Sequence, residues 1–192
     1  AFIRKHVSEG HQCFVVCPAV EESEELGIKA ATVWAETLQQ TVFPDLRIAL
    51  LHGQMKGAEK EAAMASFARG EADVMVATTV IEVGVDVPNA NSLIVDNAHR
   101  LGLSQLHQLR GRIGRSARRA YAYFTYPVGR ALPEIAQKRL EAIRDYAEFG
   151  AGFRIALRDM EIRGTGNLLG AEQHGHMEAV GYDLYIKLLN DA

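Results

Sequence analysis

Apolar residues along the chain fall into short runs, and longer stretches of helical spacing separate them. Residues 2–9 have the look of a short helix end. "QCFVVCP" (12–18) is a nearly continuous apolar run closed by Pro18, the pattern of a strand covered on both faces. From Ser23 the apolar positions Leu26, Ala30, Val33, Trp34 and Leu38 recur at three- and four-residue steps. That spacing predicts a helix with Trp34 on its core-facing stripe, ended by Pro44. "RIALL" (47–51) predicts a second strand. His52 and Gly53 leave it, and a helix runs through Met64 and Phe67 to a terminal Gly70. "DVMVAT" (73–78) and "SLIVD" (92–96) predict the third and fourth strands. "LSQLHQLRG" has helical spacing. "AYAYFTY" (120–126) alternates and predicts a fifth strand, with Tyr121, Tyr123, Phe124 and Tyr126 as packing residues.

Pro127 and Pro133 bracket a boundary. Beyond it, residues 134–149 are helical by composition, and "GAGFRIALRDMEIRG" restarts a helix after two glycines. Residues 164–181 are glycine-rich and predict an ordered loop or hook; "YDLYIKLLNDA" predicts a last amphipathic helix. Strands alternating with helices imply a mostly parallel sheet between helical layers, an α/β fold. In such sheets ligands gather at the carboxyl ends of the strands. His52, Thr78, Thr79 and Asp96 fall there.

The chain has 192 residues, 48% of them hydrophobic, enough for one substantial domain. No apolar run approaches the roughly 18 residues of a membrane helix, and no secretory signal opens the chain. A start without Met points to a piece of a longer protein. Cys13 and Cys17 sit four apart in a strand, about 13 Å from each other at ~3.3 Å per residue, beyond disulfide reach. Reduced core thiols of a cytoplasmic protein are expected, and no metal site is evident.

Charge changes the picture once it is mapped. Residues 97–133 contain no Asp or Glu but hold Arg100, Arg110, Arg112, Arg115, Arg118, Arg119 and Arg130, a charge of +7. The rest of the chain therefore carries −10, since the total is −3. A basic segment on an acidic body points to a polyanion, against the plainer alternative of a solvated basic helix. Within it, "HQLRGRIGRS" (107–116) spaces three arginines around Gly111 and Gly114. Arginine offers a planar fork suited to phosphate. Yet no G-x-x-x-x-G-K-[ST] phosphate loop is present, nor a paired Asp-Glu to hold Mg²⁺ beside one. The arginines would then complete a nucleotide site whose other wall belongs to another domain.

"ATTVIEVGVDVPNA" (77–90) followed by "QLHQLRGRIGRS" (105–116), with "LLHGQM" ahead of them, resembles motifs V and VI of superfamily 2 helicases. Over nearly its whole length the chain resembles the RecG/Mfd family of DNA translocases. "VVCPAVEESEELGIKAAT" and "HGQMKGAEKEAAMASF" are most similar to RecG. "RAYAYFTYP" and the segment from 149 to 189 are most similar to Mfd. "RDMEIRGTGNLLGAEQ" (158–173) resembles the TRG element (translocation in RecG) of both.

The resemblance implies a RecA-like three-layer domain over residues 1–130 and a TRG helical hairpin and hook over 131–192. It implies that Arg112 and Arg115 reach ATP, that Gln108 relays to the inter-domain face, and that Gly84 and Asp86 line the nucleotide. It places His52, Gly53 and Thr79 on the DNA backbone, Glu82 between the two ligands, and Arg139, Arg163 and Gln173 as residues coupling ATP turnover to movement. ATP and Mg²⁺ would be held mainly by a first motor domain outside this chain.

From the residues alone, plainer roles stay open. Arg110 could tie to the chain's own backbone, Arg163 could pair with Asp159 or Glu161, and Thr79, Asp86 and His52 could serve turns. Gln108 could be a surface amide. The implied activity is the second motor domain of an ATP-dependent double-stranded DNA translocase, RecG-like, in repair and branched-DNA processing. The alternative is the matching part of an Mfd-type protein that displaces stalled RNA polymerase. A non-catalytic DNA- or protein-binding module is a reading of another class. An RNA helicase half is a third, against which the TRG-like tail argues.

Overall fold

The computed structural model describes residues 2–18, 24–78, 87–114, 119–129, 131–146 and 151–163. The elements are α1 (Phe2–Ser8), β1 (Gln12–Val16), α2 (Glu24–Thr37), β2 (Ile48–Leu51), α3 (Gly57–Ala68), β3 (Val74–Ala77), β4 (Ala90–Val95), α4 (Leu103–Arg110), β5 (Tyr121–Phe124), α5 (Glu134–Asp145) and α6 (Gly152–Ile162). A π turn (Leu38–Val42) extends α2 and a 3₁₀ turn (Ala98–Arg100) follows β4. The strands form one sheet in the order β2-β3-β1-β4-β5, and every pairing is parallel.

Alternation along each strand divides the core into two layers. Phe14 and Val16 of β1 and Met75 and Ala77 of β3 meet Met64 and Phe67 of α3 and Leu103, Leu106 and Leu109 of α4. Cys13, Val15 and Cys17, with Val74 and Val76, face the other way onto Ile3, Ala31, Leu38 and Phe43. Both faces of β1 are thus dry, which is why "CFVVC" carries no polar alternation. The one polar residue of β1 is Gln12. Its Nε2 donates to the carbonyls of Phe67 (2.6 Å) and Ala72 (2.7 Å) and ties the strand's start to the turn after α3. Gly70, at φ +77°, makes that turn, where a side chain would be strained.

Ala142 and Ile143 of α5 and Ile155 and Ile162 of α6 join the same cluster as Phe14. The hairpin therefore shares the core of the sheet domain instead of building its own. The expected strands are all present. The phase of α2 differs from expectation. Trp34 is 40% exposed and Val33 53%, while Ala31 is fully buried. The helix carries apolar residues on two adjacent stripes, and the small Ala31 lets it approach the Cys13–Cys17 face. Spacing alone cannot choose between two such stripes. Tyr123 is also more exposed than a packing residue, because β5 is an edge strand, and so is Tyr126 just beyond it; Tyr121 and Tyr123 rest edge-on against Phe2, at 5.6 and 4.8 Å. Among the described residues no helix is long and apolar enough to cross a membrane.

Cys13 and Cys17 are free thiols, as expected. Burial pushes both up to about 12, with the charge of Asp96 adding to the effect at Cys17. The sign follows directly. A thiol near 8.5 when unfolded and raised when folded stabilises the fold below about pH 8.5, and that stability is lost as pH rises toward 12. Urea midpoints should therefore fall between pH 8.5 and 10.5, less so in a Cys13→Ala, Cys17→Ala double variant. Folded protein should resist iodoacetamide at pH 8; rapid alkylation of native protein at both positions would contradict this.

Candidate functional site

Backbone hydrogen bonds carry the ladder one residue beyond the strands: Cys17 N to Ala77 O (2.8 Å), Thr78 N to Leu51 O (3.1 Å), Asp96 N to Val16 O (2.8 Å) and Thr125 N to Val95 O (2.9 Å). His52, Thr78, Asp96 and Thr125 consequently leave the sheet along one carboxyl edge. Leu51 is in register with Ala77, so His52 and Thr78 leave from neighbouring strands. A tight turn follows His52, closed by Met55 N donating to the His52 carbonyl at 3.3 Å. The Nδ1 of His52 and the hydroxyl of Thr78 are buried without a hydrogen-bond partner, a condition native structures rarely leave unexplained. Asp96 is engaged locally: Asn97 Nδ2 donates to one oxygen at 2.9 Å and Thr125 Oγ1 to the other at 3.2 Å. Asn97 sits at φ +48°, a left-handed turn that asparagine tolerates.

The arginine-rich stretch starts on α4. Leu103, Leu106 and Leu109 seat the helix on the sheet. Arg110 turns away from solvent. Its Nη1 donates to the carbonyls of Ile143 (3.1 Å) and Tyr146 (2.7 Å), and its Nη2 to His107 Nδ1 (3.1 Å). A cation on the last carbonyls of α5 satisfies a helix end. Burial lowers the Arg110 pKa; burial and then the Arg110 charge lower that of His107, consistent with a neutral acceptor ring. The residue-level alternative, that Arg110 ties to the chain's own backbone, is what the geometry shows.

Arg112 differs. It is half-buried between two anchors, Leu109 (6% exposed) and Ile113 (7% exposed). Backbone bonds run on either side of it, Arg112 N to Leu109 O (3.0 Å) and Ile113 N to Arg110 O (3.3 Å). Gly114 then turns at φ +76°, where an added Cβ would lie 3.0 Å from the Ala120 side chain. Among the described residues no hydrogen bond or ion pair holds the Arg112 guanidinium. Gln108 is exposed on the same helix. The result is a cation without a protein partner among the described residues and with no carboxylate in its sequence neighbourhood, a fit for phosphate oxygens.

In the hairpin, Arg163 Nη2 meets Asp159 Oδ2 at 2.6 Å, while Glu161 pairs instead with Arg158 at 2.7 Å. Asp159 is only 5% exposed, and Ser104 Oγ of α4 donates to the same Oδ2 at 3.2 Å. Arg139 lies half-buried on α5 with its Nε buried and unpartnered. No hydrogen bond joins Arg139 to Arg163 among the described residues.

The chain matches the helicase conserved C-terminal domain over residues 1–117. The chain belongs to this family. Over 190 residues, 99% of its length, the chain is 50% identical to the transcription-repair-coupling factor of Bacillus subtilis (strain 168) and covers 15% of that protein. Over 153 residues, 80% of the chain, it is 55% identical to the transcription-repair-coupling factor of Staphylococcus aureus (strain USA300), covering 13% of it. The chain thus spans about a seventh of the length of these relatives. Its fold is similar to Mss116p DEAD-box helicase domain 2 bound to an RNA duplex, with a TM-score of 0.56 at 18% identity, covering 76% of this chain and 52% of that one. The Saccharomyces cerevisiae Dbp5 C-terminal domain, bound to Gle1 and IP6, gives 0.53 at 16%, covering 76% of each. At such identities the likeness shows the fold alone, the expected RecA-like layering around a parallel sheet.

Of the site residues expected from sequence, the described part of the chain contains Gln108, Arg112, His52, Gly53, Arg139 and Arg163. His52 and Gly53 stand at the sheet edge; Gln108 and Arg112 stand at the end of α4; Arg139 and Arg163 belong to the hairpin. Thr79, Glu82, Gly84, Asp86, Arg115 and Gln173 lie outside the described residues. Sequence reasoning passed over Ser104 and treated Asp159 only as an optional partner of Arg163. A signal was available: Ile155, Asp159 and Ile162 share one helical stripe, so a carboxylate interrupts an apolar face.

Proposed function

We propose that this domain is the second motor lobe of an ATP-dependent double-stranded DNA translocase of the transcription-repair-coupling type. The 50% identity to a coupling factor along 99% of the chain carries this reading and favours it over the RecG-like one. ATP would lie in a cleft whose opposite wall is a first motor lobe. From this side Arg112, with Arg115, contacts phosphate oxygens as charge develops in phosphoryl transfer, and Gln108 lines the same face. Gly84 and Asp86 approach the nucleotide; Glu82 lies between the two ligands. Mg²⁺, which would neutralise phosphate charge, would be held mainly by the other lobe.

His52, Gly53 and Thr79 contact DNA through the phosphate backbone, which makes binding independent of sequence and steeply dependent on salt. Residues 131–192 act as the TRG hairpin and hook, with Arg139, Arg163 and Gln173 coupling turnover to movement. The partner displaced by movement is RNA polymerase stalled on the template.

The isolated chain should hydrolyse no ATP, and addition of the first motor lobe with duplex DNA should restore turnover. Hydrolysis by the chain alone would refute the shared site. Lack of restoration, with DNA or protein binding retained, would support the non-catalytic module. With the intact protein, ATP-dependent release of a stalled polymerase supports the coupling reading, whereas processing of branched DNA without such release supports the RecG type.

A further inference from the structure

Among the described residues the sheet ends on two edge strands, β2 and β5. An edge strand leaves one row of backbone donors and acceptors open to pairing with another chain, and native proteins close that row in several ways. On β2 the row is read from the ladder. Arg47 and Leu51 point their carbonyls at β3, where Asp73 N (2.8 Å) and Thr78 N (3.1 Å) donate to them. Backbone groups alternate sides along a strand, so those of Leu46, Ile48, Leu50 and His52 face outward.

Both ends of that outward row are taken. Gln39 Nε2 donates to the Leu46 carbonyl at 3.0 Å, and Ile48 N donates to Gln39 Oε1 at 3.3 Å. These are the two bonds that one residue of a parallel strand would make opposite Arg47. The side-chain amide stands where a strand would add. At the other end His52 N donates to Met55 Sδ at 3.4 Å, and Met55 N donates to the His52 carbonyl at 3.3 Å. Between them, Leu50 N and the carbonyls of Ile48 and Leu50 have no hydrogen bond among the described residues. That gap is too short for a strand to dock.

Gln39 is brought to the edge by an irregular backbone. The π turn after α2 is closed by Phe43 N donating to the Leu38 carbonyl at 2.6 Å, a rare geometry that tends to occur where function requires it. Leu38 is buried and Gln39 beside it is half-buried. Arg4 holds the same loop, with Nη1 on Asp45 at 2.6 Å, Nη2 on the Val42 carbonyl at 2.8 Å and its guanidinium 5.4 Å from the Phe43 ring centre. Satisfying two polar groups on a half-exposed edge does not require this, because water would serve. What the amide adds is exclusion. β2 reads Ile-Ala-Leu-Leu, and the Arg47 charge before it is already paired with Asp73 at 2.7 Å. Two copies of this run, related by a twofold axis, would pair antiparallel with no charge to part them.

We propose that Gln39 is an edge guard. Its amide occupies the pairing positions of β2 and shuts a latent self-association surface, whose occupant, once the amide is removed, is β2 of a second copy.

The test uses the intact protein and compares Gln39→Leu with Gln39→Glu. Leucine keeps the bulk and loses both bonds. Glutamate loses the donor but sets a charge on the edge, itself a barrier to strand addition. Over a concentration series, mass from light scattering should rise toward that of a dimer for Gln39→Leu and stay at the wild-type value for Gln39→Glu. A fluorescent peptide of residues 46–52, LRIALLH, should bind Gln39→Leu at least about tenfold more tightly than wild type, the weight of one or two backbone hydrogen bonds. Adding Leu50→Pro, which removes an outward N–H and leaves the bonds to β3, should abolish both effects. If that double variant unfolds, the peptide affinities of the two single variants decide. Wild-type mass and wild-type peptide affinity in a folded Gln39→Leu protein would mean that the amide only braces the loop, and the proposal falls. Equal self-association of the leucine and glutamate variants overturns it as well, since general unfolding would produce that result.

Discussion

Replacing Arg112 by alanine in the intact two-lobed protein should lower DNA-stimulated ATP turnover by about 10³-fold or more, the range seen when a guanidinium that stabilises phosphoryl transfer is removed. The unfolding free energy of the domain should stay within about 0.5 kcal/mol of wild type, as for surface positions generally. Both halves follow from the geometry. The Arg112 side chain is half-buried and makes no hydrogen bond or ion pair among the described residues, so the fold does not depend on it. Its backbone is pinned by Leu109 and Ile113, so the charge is presented without an ordering cost at the moment of reaction. Lysine should rescue poorly, because a point charge cannot reproduce the planar fork. The control is two residues away: Arg110→Met removes bonds to Ile143 and Tyr146 and should appear first as lost stability. Turnover by Arg112→Ala within threefold of wild type would remove Arg112 from the nucleotide site.

The largest stability effect is expected at Phe67. This side chain is 0% exposed and packs on Phe14 at a centroid distance of 5.0 Å and an interplanar angle of 59°. It joins α3 to the middle strand of the sheet, and its own carbonyl accepts the Gln12 amide at 2.6 Å. Phe67→Ala should cost about 3–5 kcal/mol, the transfer term plus an unfilled cavity. That is a large share of the roughly 5–15 kcal/mol that holds a domain together. Urea unfolding of the chain would show it as a lower midpoint at an unchanged slope. Phe67→Leu should recover more than half of the loss. A cost below 1 kcal/mol for the alanine variant would mean that α3 does not bear on the β1 face as described.

Much of the fold was legible because its signals are local. An apolar run bounded by Pro18, a glycine at position 70, and strands alternating with helices each reflect short-range constraints on backbone and burial. The absence of acids over residues 97–133 was legible for the same reason, since charge is a property of composition. Trp34 was not. Two adjacent apolar stripes satisfy helical spacing equally, and the choice between them was made by the sheet face that α2 had to fit.

The arginines show the same division at the candidate site. By sequence alone this protein is a parallel α/β chain with a basic segment, an arginine-glycine motif and no phosphate loop of its own, because residue type, order and spacing are enough for those statements. Which arginine is displayed and which is consumed was decided only in three dimensions. The end of α5 comes up against Arg110 and takes its donors, while Gly114 and Ile113 hold Arg112 apart. The burial of Asp159 under α4 was decided there too. Partners some tens of residues away in the chain, such as Ser104 for Asp159 and Tyr146 for Arg110, meet only after the helices have packed, and no local pattern encodes a contact that packing creates.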